Sequence, residues 1–124
     1  MVRISKKDFD FARILLKDKE RLYYCVHFCH QAIEKLLKAV IQEYTDKIPL
    51  RTHNLPKLLK QGGLKSPKEK EEFLLTLNPH YVATKYPEDI RKLYETYSEK
   101  FVQNIFKATE EMFKWLEKKL ISKK

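Results

Sequence analysis

The chain has 124 residues, of which 43% are hydrophobic, and this length predicts one domain over residues 1–124 with its own core. No apolar run approaches the roughly 20 residues that cross a bilayer, and the first residues lack the apolar core of a signal peptide, so we expect a cytoplasmic protein. A net charge of +9 favours an anionic partner: a nucleic acid, a nucleotide or an acidic protein surface.

Apolar periodicity predicts the first two helices. The first begins at Ser5, where Asp8 three residues later resembles a capping box, and its apolar residues then recur every three or four positions. From Leu22 to Tyr44 the chain contains no glycine or proline, and apolar residues occur on more than one side. A helix that is apolar on several sides is buried on several sides, so we expect this helix at the centre of the fold.

The remaining helices are predicted from their end signals. The segment HNLPKLLKQGG predicts a short helix that ends at the glycine pair. In SPKEKEEFLLTL we expect Ser66 as N-cap, Pro67 as first helical residue and Glu69 as capping-box partner, with the helix ending before Asn78. An irregular connection over residues 79–87 then leads to one amphipathic helix of about 30 residues. There is no strand pattern, so the predicted fold class is all-α: an up-and-down bundle of four main helices plus one short helix.

Polar residues share one narrow face of the second helix. At about 100° per residue, this arc contains His27, Gln31, Glu34 and Lys38, with His30 and Lys35 at its margins. Two interpretations are open. The arc is the solvated edge of a buried helix, or it lines a groove, because buried polar groups need polar neighbours or water.

Two cysteines and two histidines crowd the same segment, at Cys25, His27, Cys29 and His30. Helical neighbours rarely have disulfide geometry, so we expect both cysteines to be reduced. The cysteines should face the core, away from His27, so the four side chains cannot converge on one zinc ion. The sequence also lacks a glycine-rich phosphate loop and a nucleophile elbow. We therefore predict neither a metal nor a cofactor.

Three segments in order, CHQAIEKLLKAVI, HNLPKLL and YVATKYPE, resemble the HEPN domain family. The pattern of the family's second helix is matched by Gln31, Ala32, Glu34, Lys35 and Lys38. The family's histidine before the short helix is matched by His53, and its Tyr-Pro turn by Lys85, Tyr86 and Pro87. The resemblance extends over residues 8–115.

The resemblance implies a helical bundle that often dimerises, binds a nucleotide or RNA, or works with a minimal nucleotidyltransferase, as in some toxin–antitoxin pairs. Active members of the family are ribonucleases that need no metal. Their signature is an arginine followed, after four to six residues, by a histidine near the start of the last long helix. Such chemistry needs a histidine to move a proton and an arginine to hold the phosphate.

The chain departs from this signature. After Arg91, positions 96–98 hold threonine, tyrosine and serine, none of which titrates near neutral pH as histidine does. The only pair with the required spacing is Arg21 and His27, at the junction of the first two helices, where the family has no such site. We therefore predict that the protein is not a ribonuclease.

A second candidate patch lies in HYVATKYPEDIRKLYETY. His80, Tyr81, Lys85, Tyr86 and Arg91 combine rings on which bases can stack with cations that can contact phosphate. The alternative is that the tyrosines pack under the connection and the cations are solvated. If this patch and the polar arc border one groove, the ligand-binding residues are Gln31, Glu34, Lys35, Lys38, His53, Tyr81, Lys85, Tyr86 and Arg91.

The predicted function is a HEPN-like module that binds a nucleotide or RNA and partners a minimal nucleotidyltransferase. Two alternatives remain open. One is an atypical ribonuclease that uses other residues, of which His53 and His80 would be tested first. The other is a purely structural dimeric subunit.

The last helix also predicts a homodimer. Its apolar surface is wider than one face, because Val102, Phe106, Phe113 and Trp115 lie beside its main apolar stripe. A bundle helix buries one face, so we expect these side chains to form an exposed patch that a second copy, or the nucleotidyltransferase, covers.

Overall fold

The computed structural model describes residues 1–86 and 88–123, with the side chains of Ile90 and Lys123 left undescribed. Over these residues the chain forms seven helices and no strand, which confirms the all-α prediction. The helices are α1 (Val2–Leu15), α2 (Leu22–Tyr44), α3 (Leu55–Gly62), α4 (Lys68–Leu77), α5 (His80–Lys85), α6 (Ile90–Thr96) and α7 (Glu99–Lys123).

Helix α2 is the centre of the fold, as its composition predicts. It packs against α1, α3, α5 and α7. Its largest apolar side chains, including Ile33, Leu36, Leu37 and Ile41, are fully buried. Cys25 and Cys29 are free thiols in the same core. No described helix has both the length and the apolar character needed to cross a membrane.

Two of the predicted helix starts are wrong in detail. Helix α1 already begins at Val2, and Ser5 is buried one turn inside it, where its hydroxyl donates to the Val2 carbonyl at 2.6 Å. The N-cap of α4 is Pro67, because the Ser66 hydroxyl bonds to the Glu71 carboxylate at 3.0 Å instead of capping the helix. In both cases the serine has a second local partner, which competes with the cap.

The prediction for α3 is confirmed at both ends. The Asn54 side chain accepts the N–H of Lys57 at 3.1 Å, which is an N-cap bond. Gly63 ends the helix at φ 69°, in the left-handed region that favours glycine.

The predictions for the region after Asn78 are wrong. The expected irregular connection contains α5, and the expected single long helix is divided into α6 and α7 around Tyr97 and Ser98. Asp89 caps α6 by accepting the N–H of Arg91 at 2.9 Å, and the Ser98 hydroxyl accepts the N–H of Phe101 at 3.2 Å at the start of α7. Apolar periodicity continues across such a break, and only the two caps reveal it. Pro87 lies outside the described residues.

The extra apolar side chains of α7 are buried inside the chain. Phe106 and Phe113 stack on Phe9 of α1, with ring centroids 5.1 and 4.9 Å away, and Val102 is fully buried. Trp115 is partly buried. The expectation of an exposed patch on this helix is therefore wrong, and the homodimer stays a prediction without that support.

Candidate functional site

The polar arc of α2 faces α5 and the segment before α3, with the buried carboxylate of Glu34 at its centre. One carboxylate oxygen accepts the Nδ1–H of His53 at 2.8 Å, and the other accepts the ammonium of Lys38 at 3.2 Å. A carboxylate is an acceptor only, so this contact assigns the His53 proton to Nδ1. Helix α2 and the segment before α3 thus meet at one charged centre.

A hydrogen-bond chain continues from His53 to α5. Because Nδ1 of His53 carries the proton, Nε2 is an acceptor, and the Tyr81 hydroxyl lies 3.3 Å from it. The Lys85 ammonium donates to the same hydroxyl at 3.1 Å. The Tyr81 ring also stacks on the rings of His53 and His27, at 4.2 and 5.2 Å between centroids. Tyr81 is therefore the side chain that joins the two predicted parts of the site.

His27 and Thr84 form a second contact between α2 and α5, although the predicted site residues include neither. The Gln31 amide nitrogen lies 2.9 Å from His27 Nε2, and His27 Nδ1 lies 3.0 Å from the Thr84 hydroxyl. That hydroxyl donates to the His80 carbonyl at 2.6 Å, so it accepts from the imidazole. His27 lies on the predicted polar arc together with Gln31, and this position could have identified it as a site residue from the sequence. Thr84 has no local signal in the sequence.

Burial keeps two histidines of this region neutral. It lowers the pKa of His27, and the positive charge of Lys85 lowers it further. It lowers the pKa of His30 to about 4, although the Glu34 carboxylate 3.7 Å away acts in the opposite direction. Neither ring nitrogen of His30 has a hydrogen-bond partner of normal geometry among the described residues.

Lys85 and Tyr86 form the accessible side of this region. The Lys85 ammonium lies 5.2 Å from the centre of the Tyr81 ring and 5.5 Å from that of the Tyr86 ring. The Tyr86 side chain is 64% exposed. It also lines an open cavity of about 490 Å³ between α5 and α6, together with Lys92 and Tyr97. A cation between two rings beside such a cavity can receive a phosphate and a flat ring together.

The structure does not bring all the predicted residues together. Lys35 turns toward α1, where it forms an ion pair with Asp8. Arg91 is exposed on α6, and its described contact is the backbone bond to Asp89. His80 lies on another side of α5, with Nδ1 2.7 Å from the Tyr97 hydroxyl. The residues in one continuous set of contacts are Glu34, Lys38, His53, Tyr81, Lys85 and Tyr86, with Gln31 joined through His27.

Tyr97 is one of the three residues, at positions 96–98, whose spacing from Arg91 fits the histidine of the ribonuclease signature. It is buried, and burial raises its pKa to about 12. A phenol with this pKa cannot serve as a general base at neutral pH. The alternative pair of Arg21 and His27 is not assembled either, because Arg21 bonds to Asp18 at 2.8 Å while His27 faces α5.

Comparison with known proteins agrees with the helical architecture and with the three sequence segments. The family model of the HEPN domain matches residues 1–119. Neither a curated protein nor a solved structure matches the chain. Since the match covers nearly all 124 residues, the chain belongs to the HEPN domain family.

Proposed function

We propose that the protein is a HEPN-family module that binds a nucleotide or single-stranded RNA at the surface of Lys85, Tyr86, His53 and Lys38, called here the Lys85 surface. The observation that carries this proposal is the Lys85 ammonium, held between the rings of Tyr81 and Tyr86 beside the exposed His53 imidazole. Single-strand sites combine aromatic rings with cations in this manner, since rings stack on bases and cations contact phosphates.

The contacts beneath the Lys85 surface position its groups. Tyr81 is buried, and its hydroxyl accepts from Lys85, so the ammonium keeps one donor inside the protein and directs its others outward. Tyr86 offers a free ring face because most of its side chain is exposed. A phosphate at Lys85 would leave a base within reach of Tyr86, so both substitutions should weaken the same complex.

The first expected result is therefore weaker binding when either group is removed. We expect Lys85→Ala to raise the Kd for a fluorescein-labelled single-stranded RNA roughly tenfold at low salt, through the loss of a charge-assisted contact. We expect Tyr86→Ala to cost about 1–3 kcal/mol of binding free energy through lost stacking. Fluorescence anisotropy titrations with the RNA, and competition by mononucleotides, measure both effects.

The matched controls are Lys118→Ala, which removes an exposed lysine of α7, and Tyr94→Ala, which removes an exposed tyrosine of α6. Lys118→Ala changes the net charge by the same amount as Lys85→Ala, and Tyr94→Ala removes a ring that is 49% exposed, against 64% for Tyr86. Both controls lie away from the Lys85 surface. Equal losses of affinity in the controls and the test variants would mean that binding is non-specific attraction to a basic protein, and the proposed site would be wrong.

One observation favours the alternative function, a ribonuclease that uses unusual residues. The buried Glu34 carboxylate holds Nδ1 of His53 at 2.8 Å, which orients the other nitrogen of a half-exposed imidazole. This is the arrangement by which a carboxylate positions a histidine base. Lys85 reaches His53 only through the Tyr81 hydroxyl, and Lys38 only through the Glu34 carboxylate.

We nevertheless expect no metal-free cleavage of RNA above background. The Tyr81 hydroxyl lies 3.3 Å from Nε2 of His53, and none of the residues at positions 96–98, where the spacing from Arg91 fits the family signature, is a histidine. The measurement is gel analysis of an end-labelled single-stranded RNA in the presence of EDTA. Turnover that His53→Ala abolishes and His80→Ala preserves would establish the alternative at His53. The reverse pattern would place catalysis beside Tyr97.

The finer parts of the proposal rest on family membership alone. They are a minimal nucleotidyltransferase as protein partner, a role in a toxin–antitoxin pair and a homodimer, while a location in the cytoplasm rests on the sequence expectation given above. A purely structural dimeric subunit would fit the same family membership, and it would lack binding at the Lys85 surface.

A further inference from the structure

Helix α1 has an exposed apolar face opposite its buried one. Phe9, Ala12 and Leu15 point into the core. Ile4, Phe11 and Ile14 are 50%, 44% and 65% exposed. The exposed residues are separated by seven and three positions, so they lie on one side of the helix.

Helix α2 extends this face into a continuous surface. The Phe28 ring contacts the Phe11 ring edge to face, with centroids 4.7 Å apart. Tyr24 lies one turn before Phe28 on α2 and is exposed as well. Scattered apolar side chains on a surface are ordinary, whereas a contiguous apolar surface across two helices is typical of a protein interaction site.

The charged side chains of α1 beside this surface that lack a partner among the described residues have one sign. The carboxylates of α1 are both neutralised, Asp8 by Lys35 and Asp10 by Arg13. Arg3 and Lys7 lie on successive turns before Phe11, and neither has a partner among the described residues. A second copy of the chain would therefore bring uncompensated cations together. An acidic partner would compensate them.

We propose that the apolar surface of α1 and α2 formed by Ile4, Phe11, Ile14, Tyr24 and Phe28 binds an amphipathic helix of an acidic protein. Ile4 and Ile14 favour a protein over RNA, since bases stack on rings and not on branched aliphatic side chains. Two unpaired cations are also fewer than the four to eight that typically hold a protein at an anionic membrane. Apolar side chains at helical spacing with cations beside them complement the apolar stripe and the acidic flanks of an amphipathic helix.

This inference does not depend on the Lys85 surface, and it is tested with a defined probe. The probe is a fluorescein-labelled three-heptad helical peptide with leucine at its apolar positions and glutamate at the flanking positions. A matched peptide has lysine in place of every glutamate. Anisotropy titrations of the full chain should show tighter binding of the glutamate peptide, with a difference that shrinks as salt is added.

Substitutions on α1 should alter this binding in two distinct ways. Phe11→Asp should raise the Kd for the glutamate peptide roughly tenfold or more, as expected for a central apolar anchor. Arg3→Glu combined with Lys7→Glu should reverse the preference toward the lysine peptide. The control, Lys57→Glu combined with Lys60→Glu on α3, changes the net charge equally and should leave the preference intact.

Circular dichroism melting of each variant verifies that it folds, and Ile14→Asp repeats the test at a second exposed position. Equal affinity for the two peptides, or affinity that survives both Phe11→Asp and Ile14→Asp, would overturn the proposal. Sedimentation showing a dimer that Phe11→Asp dissociates would assign this apolar surface to a second copy instead. Displacement of the peptide by single-stranded RNA would assign it to nucleic acid.

Discussion

Replacing Phe9 with alanine is expected to lower the free energy of unfolding by about 3–5 kcal/mol. Phe9 is buried, and its ring stacks on both Phe106 and Phe113, so it joins the first helix to the last. Removing it leaves a cavity between two rings that belong to one rigid helix and cannot easily close the gap. Urea denaturation followed by circular dichroism measures the change.

Phe11→Ala is the matched control for this prediction. It removes the same side chain from the same helix, but Phe11 is exposed. Among the described aromatic rings, its ring contacts only that of Phe28. We expect its effect to stay within about 1 kcal/mol. Similar losses at the two positions would mean that α1 does not pack on α7 through Phe9.

The second large effect concerns His30 and pH. Burial lowers the pKa of this side chain from its ordinary 6.5 to about 4 in the folded protein. Between these pH values the unfolded chain binds a proton that the folded chain excludes, so stability falls as pH falls. The full contribution of the neutral His30 side chain to the free energy of unfolding is present above pH 6.5, and about 3 kcal/mol of it is lost by pH 4.

The comparison that isolates this effect is wild type against His30→Leu. Leucine cannot take up a proton, and it removes two ring nitrogens that have no partner of normal geometry in the described chain. We therefore expect the variant to lose less stability than wild type between pH 7 and pH 4, and to be at least as stable at pH 7. Urea titrations at several pH values give the two curves.

Phe11→Ala is the control for this experiment, because Phe11 is exposed and its side chain has no titratable group. Its substitution should leave the slope of stability against pH close to that of wild type over the same range. If wild type and His30→Leu lose stability in parallel, His30 is not the group that links folding to protons.

Local sequence patterns were sufficient for the helices whose signals lie within a few residues. Helix α2 extends from Leu22 to Tyr44 as predicted, because apolar residues on several sides and the absence of glycine and proline determine a buried helix. The positive φ of Gly63 and the cap at Asn54 are likewise local. The break near Ser98 was also encoded locally, by its cap, but apolar periodicity obscured it.

Part of the candidate site was predictable from the sequence, because the residues of that part lie within a few positions of one another. Helical geometry alone places Gln31, Glu34 and Lys38 on one arc. It cannot say what faces that arc. Tyr81 and Thr84 lie far along the chain, and only packing of α5 on α2 brings them to His53 and His27.

The sequence by itself determined that this is a helical protein with a central buried helix that has one polar side, since those properties depend on neighbours in the chain. Only the tertiary structure decided which side chains meet. Stacking of Phe9 on α7 buried the rings that periodicity had assigned to a dimer interface. Packing around α2 turned Lys35 toward Asp8 and left the described His30 ring nitrogens without a hydrogen bond of normal geometry, because contacts between distant segments follow from the fold and not from spacing.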